Sequence, residues 1–202
     1  MAILEKSWRI YWKAIIEGKK SLVIDVTDRT GNKIGELRPI NKSTINIDTV
    51  VSSLTEWRKK YSKFFFTEFE ASNTRTKSWI LNSVLANETQ MLFLIYCDGQ
   101  LIGQYGFKNL NDSSVLMDNL IRGVGGGHPK LMERSMWALI SWLFENRDID
   151  DVRGSVLSDN PFAMMVNKAV GFEYVCETRN ILEDGRFSRD IILTRERWET
   201  KE

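Results

Sequence analysis

The chain has 202 residues with 28 Lys and Arg against 27 Asp and Glu, a formal net charge of +1 that lacks the basic footprint of a nucleic-acid-binding domain. A 43% hydrophobic and 11% aromatic composition supplies ample core and excludes extensive disorder. One histidine and two distant cysteines, Cys97 and Cys176, exclude a disulfide framework, a cysteine-rich zinc site and a two-histidine mechanism, so no metal is expected.

In chain order, Ile3, Leu4, Trp8, Tyr11, Trp12, Ile15 and Ile16 make one apolar stripe on a helix that Gly18 ends. Such a helix packs on the domain or on a second subunit, which leaves a homodimer open. A membrane-surface helix is the minor alternative, with Lys6, Arg9, Lys13, Lys19 and Lys20 facing lipid. No run reaches the roughly 20 apolar residues of a membrane span. Glu5, Lys6, Arg9 and Lys13 also break up any signal-peptide core, so a cytoplasmic protein is expected. Residues 21–27 and 33–40 read as a hairpin around the turn formers Asp28 to Asn32. Helices are predicted over about 47–61 and 76–86, with Phe64, Phe65, Phe66, Phe69 and the polar run Ser72-Asn73-Thr74-Arg75 between them. Residues 92–97 and 100–107 form a second hairpin through Asp98-Gly99, and 114–121 a further strand. Leu131, Met132, Met136, Leu139, Ile140 and Leu143 share one face of a helix over 131–146. A strand over 152–157 leads to a helix over 161–170, with Asp159 or Asn160 as cap and Pro161 at its first position. Residues 172–176 and 187–194 close the chain as two strands around Glu183-Asp184-Gly185. The order predicts a mixed α/β domain, one sheet with helices on its faces. Residues 1–32 form an N-terminal extension and 33–202 the main domain.

The most informative segment runs from Ile121 to Met132, between a strand and the strongest helix. Gly123, Gly125, Gly126 and Gly127 remove side chains, so backbone N–H groups can converge on an anion in front of a helix N-terminus. Arg122 and Lys130 add full charges nearby. No Gly-Lys-Ser/Thr follows, so this is no Walker loop, and it comes too late in the chain for a dinucleotide-binding unit.

Here the sequence resembles the GCN5-related N-acetyltransferase (GNAT) superfamily. Arg122, Gly125 and Gly127 fit that family's pyrophosphate-binding pattern, Arg/Gln-x-x-Gly-x-Gly/Ala. Asn160, Ala163, Gly171 and Phe172 resemble its closing motif. The segment from Leu101 to Phe107 looks like its central strand, and Leu37 to Ile40 like its opening strand. The likeness covers about 34–194. Two departures stand out: Asn167 occupies the position of the family's usual tyrosine, and the loop is longer by about one residue through His128, Pro129 and Lys130. Lack of that tyrosine, with Thr55-Glu56-Trp57-Arg58 and Trp79, looks like the branch of ribosomal-protein and amino-sugar acetyltransferases.

The resemblance implies a mostly antiparallel sheet whose parallel strand pair splays to hold acetyl-CoA, the co-substrate. Main-chain contacts are then expected from Leu120, Ile121 and Val124, phosphate contacts from Arg122, Gly123, Gly125, Gly126, Gly127, His128, Lys130 and Lys168, and a pantetheine contact from Asn160. Lys168 reads equally well as a solvated helix lysine. Transfer to an amine needs a base, because an alkylammonium of pKa about 10.4 is mostly protonated at neutral pH. Asp118, at a strand end beside the expected thioester, is the first candidate; a buried structural carboxylate is its alternative. Glu68 and Glu70 are rivals on the acceptor side, and Tyr105 is a further substrate-side candidate. Asn167 is a candidate hydrogen-bond donor to the sulfur. His128 reads as a cap neighbour or phosphate contact rather than a base. The phenylalanines read chiefly as core, Arg75 and Lys77 as water-facing or as diphosphate ligands, and Asp148, Asp150 and Asp151 as a solvated loop. The expected activity is acetyl transfer to the primary amine of a small molecule, preferably an amino-sugar nucleotide. A protein N-terminus as acceptor, and a silent acyl-CoA-binding module, are the alternatives.

Overall fold

A computed structural model of the chain describes residues 5–67, 69–176 and 179–200. Strands β1 (Ile24–Thr27), β2 (Lys33–Pro39), β3 (Met91–Cys97), β4 (Gln100–Lys108), β5 (Ser114–Arg122), β6 (Asp151–Leu157), β7 (Glu173–Tyr174), β8 (Asn180–Ile181) and β9 (Phe187–Thr194) form one sheet. Its order is β1-β2-β3-β4-β5-β6-β9-β7, with β8 also on β9. Helices α1 (Glu5–Ile16), α2 (Asp48–Lys60), α3 (Asn73–Trp79), α4 (Leu131–Asn146), α5 (Pro161–Val170) and α6 (Arg195–Glu199) flank it. Every pairing is antiparallel except β5 with β6, which α4 joins as a crossover. The fold is the expected mixed α/β arrangement.

Local chemistry explains the sharpest boundaries. The six apolar residues of the α4 stripe are all buried, so packing against the sheet sets its length. In α5, Asn160 Oδ1 accepts from Ala163 N at 3.0 Å, Pro161 takes the first position, and Gly171 at φ +121° ends the helix. Trp8, Trp12, Ile15 and Ile16 of α1 are buried in the common core, and the two indoles donate to Glu88 O and Gln90 O at 3.0 and 3.1 Å. Ile3 and Leu4 lie outside the described residues; the rest of the apolar stripe, for which a membrane or a second subunit was the alternative partner, packs on this chain's own core.

Two elements differ from the sequence expectation. Helix α3 starts at Asn73 because Ser72 Oγ accepts from Arg75 N at 3.3 Å, so the polar run caps a helix instead of preceding one. The closing hairpin does turn at Gly185, whose N–H donates to Leu182 O at 3.0 Å, but its inner arm is β8. The segment 172–176 yields only the short β7, because β7 and β8 share the edge of β9 in series: Glu173 lies opposite Ile192 and Asn180 opposite Ser188.

In the β1–β2 turn, Asp28 Oδ1 accepts from Thr30 Oγ1, Thr30 N and Asn32 N at 2.7, 2.8 and 3.0 Å. These bonds, the hydroxyl's first, hold its carboxyl down at about 2. A depressed carboxyl contributes stability above its unfolded pKa, and the contribution is lost as pH falls through the folded value. The turn is therefore expected to loosen between about pH 4 and pH 2, seen as faster amide exchange at Thr30 and Asn32; unchanged protection across that window would contradict the assignment.

Candidate active site

Strands β5 and β6 pair only at Ser114–Asp151, Val115–Val152 and Leu116–Arg153. Beyond Leu116, β5 runs on to Arg122 and β6 to Leu157 without contact in register. The parting has a local cause. Opposite β4, Asp118 faces Gly106 and Ile121 faces Gln104, so Asn119 and Leu120 together oppose Tyr105. Such a bulge bends and twists its strand. Asn119 adopts φ +58°, a conformation asparagine tolerates, and its carbonyl accepts from Gln104 Nε2 at 3.4 Å. No strand among the described residues pairs with the freed edge of β5.

That edge leads into the glycine loop. Gly123 N and Val124 N both donate to Ile102 O, at 2.9 and 3.2 Å, because the chain stays bonded to β4 as it leaves β5. The Val124 N–H is thus engaged inside the sheet and does not face a ligand. The N–H groups of Gly125, Gly126 and Gly127 have no acceptor among the described residues. Gly126 and Gly127 sit at φ +95° and +69°, and a Cβ on Gly125 or Gly126 would meet nothing within 4 Å. Three N–H groups without an acceptor among the described residues, placed before the first turn of α4, are an arrangement suited to an anion. Arg122 Nη2 donates to Gly126 O and braces it.

The neighbouring charges are partly engaged. His128 Nδ1 accepts from Lys130 N at 3.1 Å, a capping contact at the start of α4. Lys130 Nζ lies 2.8 Å from Glu133 Oε2. Cys97 Sγ lies 3.0 Å from where a Cβ on Gly127 would sit, and burial pushes its thiol pKa up.

Asp118 is at the bulge, where its Oδ1 accepts from Asn119 N at 2.9 Å and its Oδ2 pairs with Lys108 Nζ at 2.7 Å. Across the parting, Asn160 caps α5, and Asn167 Nδ2 donates to Ala163 O at 2.8 Å. Leu120 is half-buried and Ile121 buried, while Lys168 and Glu70 are exposed. Glu68 lies outside the described residues. Tyr105 is fully buried, its hydroxyl without a partner among the described residues, so its ring offers a ligand no surface. Burial raises its pKa first, and the Asp118 charge adds to this.

Sequence reasoning missed Arg186 and gave Arg58 no role beyond its place in Thr55-Glu56-Trp57-Arg58. Arg186, in the β8–β9 turn, donates to Lys63 O and Phe65 O at 2.5 and 3.0 Å and pairs with Asp184 at 2.6 Å. It fastens the C-terminal hairpin to the connection between α2 and α3. Arg58, on α2, stacks on Phe65 and Phe69 of that connection and on Trp79 of α3. The only signal for either was a basic residue next to turn formers or aromatics. Among the described residues no group of three or more His, Cys, Asp or Glu is placed to hold a metal.

A free strand edge that ends in an anion-binding loop suits an elongated ligand with a peptide-like arm and a phosphorylated end. The profile of the Acetyltransferase (GNAT) domain family matches residues 51–192. The fold is similar to that of a probable GNAT acetyltransferase from Chromobacterium violaceum, at 11% identity over 87% of this chain and 92% of that one, TM-score 0.69. It is also similar to the Salmonella typhimurium acetyl transferase that modifies the N-terminal serine of 50S ribosomal subunit protein L7/L12, at 15% identity over 86% and 99%, TM-score 0.69. A third such structure is aminoglycoside acetyltransferase AAC(6')-Ib with coenzyme A and kanamycin, at 18% identity over 81% and 96%, TM-score 0.64. No curated protein matches the sequence.

Proposed function

The chain belongs to the GNAT acetyltransferase family and is an acetyl-CoA-dependent N-acetyltransferase; we propose that its acceptor is the primary amine of a small molecule, an amino-sugar nucleotide first among them. The observation that carries the donor side is the unpaired edge of β5 running into the free N–H groups of Gly125, Gly126 and Gly127. Acetyl-CoA supplies an activated acetyl group as a thioester. In this reading the three glycine N–H groups and Arg122 hold its pyrophosphate, and the backbone from Met117 to Arg122 receives the pantetheine arm as an added strand. Asn160 keeps its Nδ2 available to that arm, because only its Oδ1 is engaged in the cap.

Asp118 is proposed as the base. Its two oxygens carry one strong bond each, and an ionised carboxylate has about four lone-pair sites, so it can still accept a hydrogen bond from the acceptor ammonium. Asn167 holds Ala163 O and cannot release a proton as a phenol does, so water or the substrate protonates the departing thiolate. Asp118→Asn is expected to lower kcat by roughly 10²–10⁴-fold with little change in acetyl-CoA affinity, measured by steady-state kinetics beside calorimetric binding. An unchanged kcat would remove Asp118 from the chemistry.

Two features support a small acceptor. Arg186 ties the C-terminal turn to Lys63 and Phe65, and in this reading that tie narrows the acceptor side. Arg75 and Lys77 on α3 are exposed and available to a diphosphate. The test is thiol release from acetyl-CoA with a panel of amino-sugar nucleotides, free amino sugars and peptides with a free N-terminal serine. Release with the sugar nucleotides supports the reading, and release with the peptides alone moves the acceptor to protein N-termini. Coenzyme A binding with no release from any amine would make the protein a silent acyl-CoA-binding module.

A further inference from the structure

Arg58 stands apart from the other half-buried arginines among the described residues. Its guanidinium carbon lies 4.3 Å from the ring centre of Trp79, 4.4 Å from Phe69 and 5.2 Å from Phe65. It is half-buried, and removal from water lowers its pKa, with the charge of Asp118 as the opposing influence. Yet none of its N–H donors has an acceptor or an ion-pair partner among the described residues. Other partly buried arginines are supplied with them: Arg195 donates to Ile149 O, Phe144 O and Arg147 O, Arg134 to Thr27 O, and Arg186 to Lys63 O, Phe65 O and Asp184. Rings stacked on a guanidinium fix its plane and leave its N–H edge free. The Arg58 nitrogens still reach solvent, so among the described residues they form a fork of donors open to an incoming acceptor.

The position of Arg58 suggests what completes it. Trp57, the residue before it, packs on Gly123 at the end of β5, which fixes this turn of α2 beside the parted strands. Asp118 is close enough for its charge to act on Arg58, but the two do not touch, because Asp118 is paired with Lys108. A carboxylate and a guanidinium near enough to act on each other, with no ion pair between them, suit a molecule carrying both charges.

We propose that Arg58 is a specificity-determining residue that binds an anionic group, phosphate or carboxylate, of the acceptor whose amine is directed to Asp118. The acceptor is then an amine with an anion a short distance away, which rests on the acetyltransferase reading above and narrows its substrate class. Bidentate geometry makes Arg, and not Lys, the residue suited to either anion.

The test uses the coenzyme A-saturated protein, so that the glycine loop is already filled. Arginine side-chain Nε–H signals are followed by nuclear magnetic resonance, with Arg58 assigned by its loss in R58K. Inorganic phosphate and acetate are titrated separately, with chloride as the control. The expected result is a saturable shift of the Arg58 signal with one of them: a response to phosphate indicates a phosphorylated acceptor, a response to acetate a carboxylate. In turnover, Arg58→Met is expected to raise KM for glucosamine 1-phosphate roughly tenfold to hundredfold more than for glucosamine, with kcat changed much less than KM. An Arg58 signal that moves no more with phosphate or acetate than with chloride would overturn the proposal. So would an Arg58→Met variant that weakens both amines equally, since that is the behaviour of a structural stack. Failure of the acetyltransferase reading shows separately, as absent coenzyme A binding or absent thiol release in the unaltered protein.

Discussion

Gly125→Glu is expected to lower acetyl-CoA affinity by roughly a hundredfold or more while leaving the melting temperature nearly unchanged. The two halves of this expectation rest on different facts. Gly125 is not among the residues at positive φ, and a Cβ there meets no atom within 4 Å, so the folded chain accepts a side chain without strain or clash. The N–H groups of Gly125, Gly126 and Gly127, without an acceptor among the described residues, are the groups proposed to hold the pyrophosphate. A carboxylate held there occupies the anion's place and repels a pyrophosphate, while the ligand loses hydrogen bonds each worth about 1.5–3 kcal/mol when charge-assisted. Two such bonds account for a hundredfold or more. Calorimetric titration with acetyl-CoA and a thermal scan of the same sample check both halves. Unchanged affinity would mean that the phosphate site lies elsewhere.

Gly123→Ala is expected to act the opposite way, through the fold. A Cβ at this position would sit 1.7 Å from Trp57 Cε2 and 2.1 Å from Cδ2, far inside contact distance. Trp57 is 5% exposed and belongs to the core, so its ring has no room to retreat. Either α2 shifts or β5 gives up its bonds to Ile102, and overpacking of this severity costs about 3 kcal/mol. For a chain of this size that is a fall in melting temperature of roughly 6–12 °C. Turnover should fall as well, because α2 carries Arg58 and its register against β5 sets the acceptor side. A variant with wild-type melting temperature would show that the helix is not seated on the glycine.

These two glycines also show what is legible in the sequence. Their place between a strand and a strong apolar helix is a local signal, and it is enough to point to an anion-binding loop. Which of them binds and which packs is not legible, because the difference lies in Trp57 and Ile102, residues distant in the chain. The boundaries of α4 and α5 are readable for the converse reason: an apolar stripe, an asparagine cap, a proline and a terminal glycine are all local signals. The division of the closing segment into β7 and β8 is not, since it depends on how much of β9 remains free after β6 has paired with it. The bulge that frees the edge of β5 is likewise a property of pairing, with an asparagine inside a strand as its one local trace. Arg58 reads in the sequence as part of a Trp-Arg pair on a helix. That it stacks on Phe65, Phe69 and Trp79 and has no acceptor among the described residues emerges only from the fold.

The near-neutral composition with one histidine fits the same picture. In the proposed reading an anionic co-substrate is met by three backbone N–H groups, a helix N-terminus and Arg122, which calls for no net basic charge. The roles assigned to Asp118 and Arg58 place one charge of each sign on the acceptor side, where a doubly charged amine is favoured over a neutral one.

The donor site is tested most directly by a crystal structure of the protein with coenzyme A. The pyrophosphate is expected within hydrogen-bonding distance of the Gly125, Gly126 and Gly127 N–H groups, and the pantetheine arm along Met117 to Arg122 between β5 and β6. A coenzyme A molecule bound elsewhere, or one whose phosphates leave those three N–H groups unengaged, would contradict it.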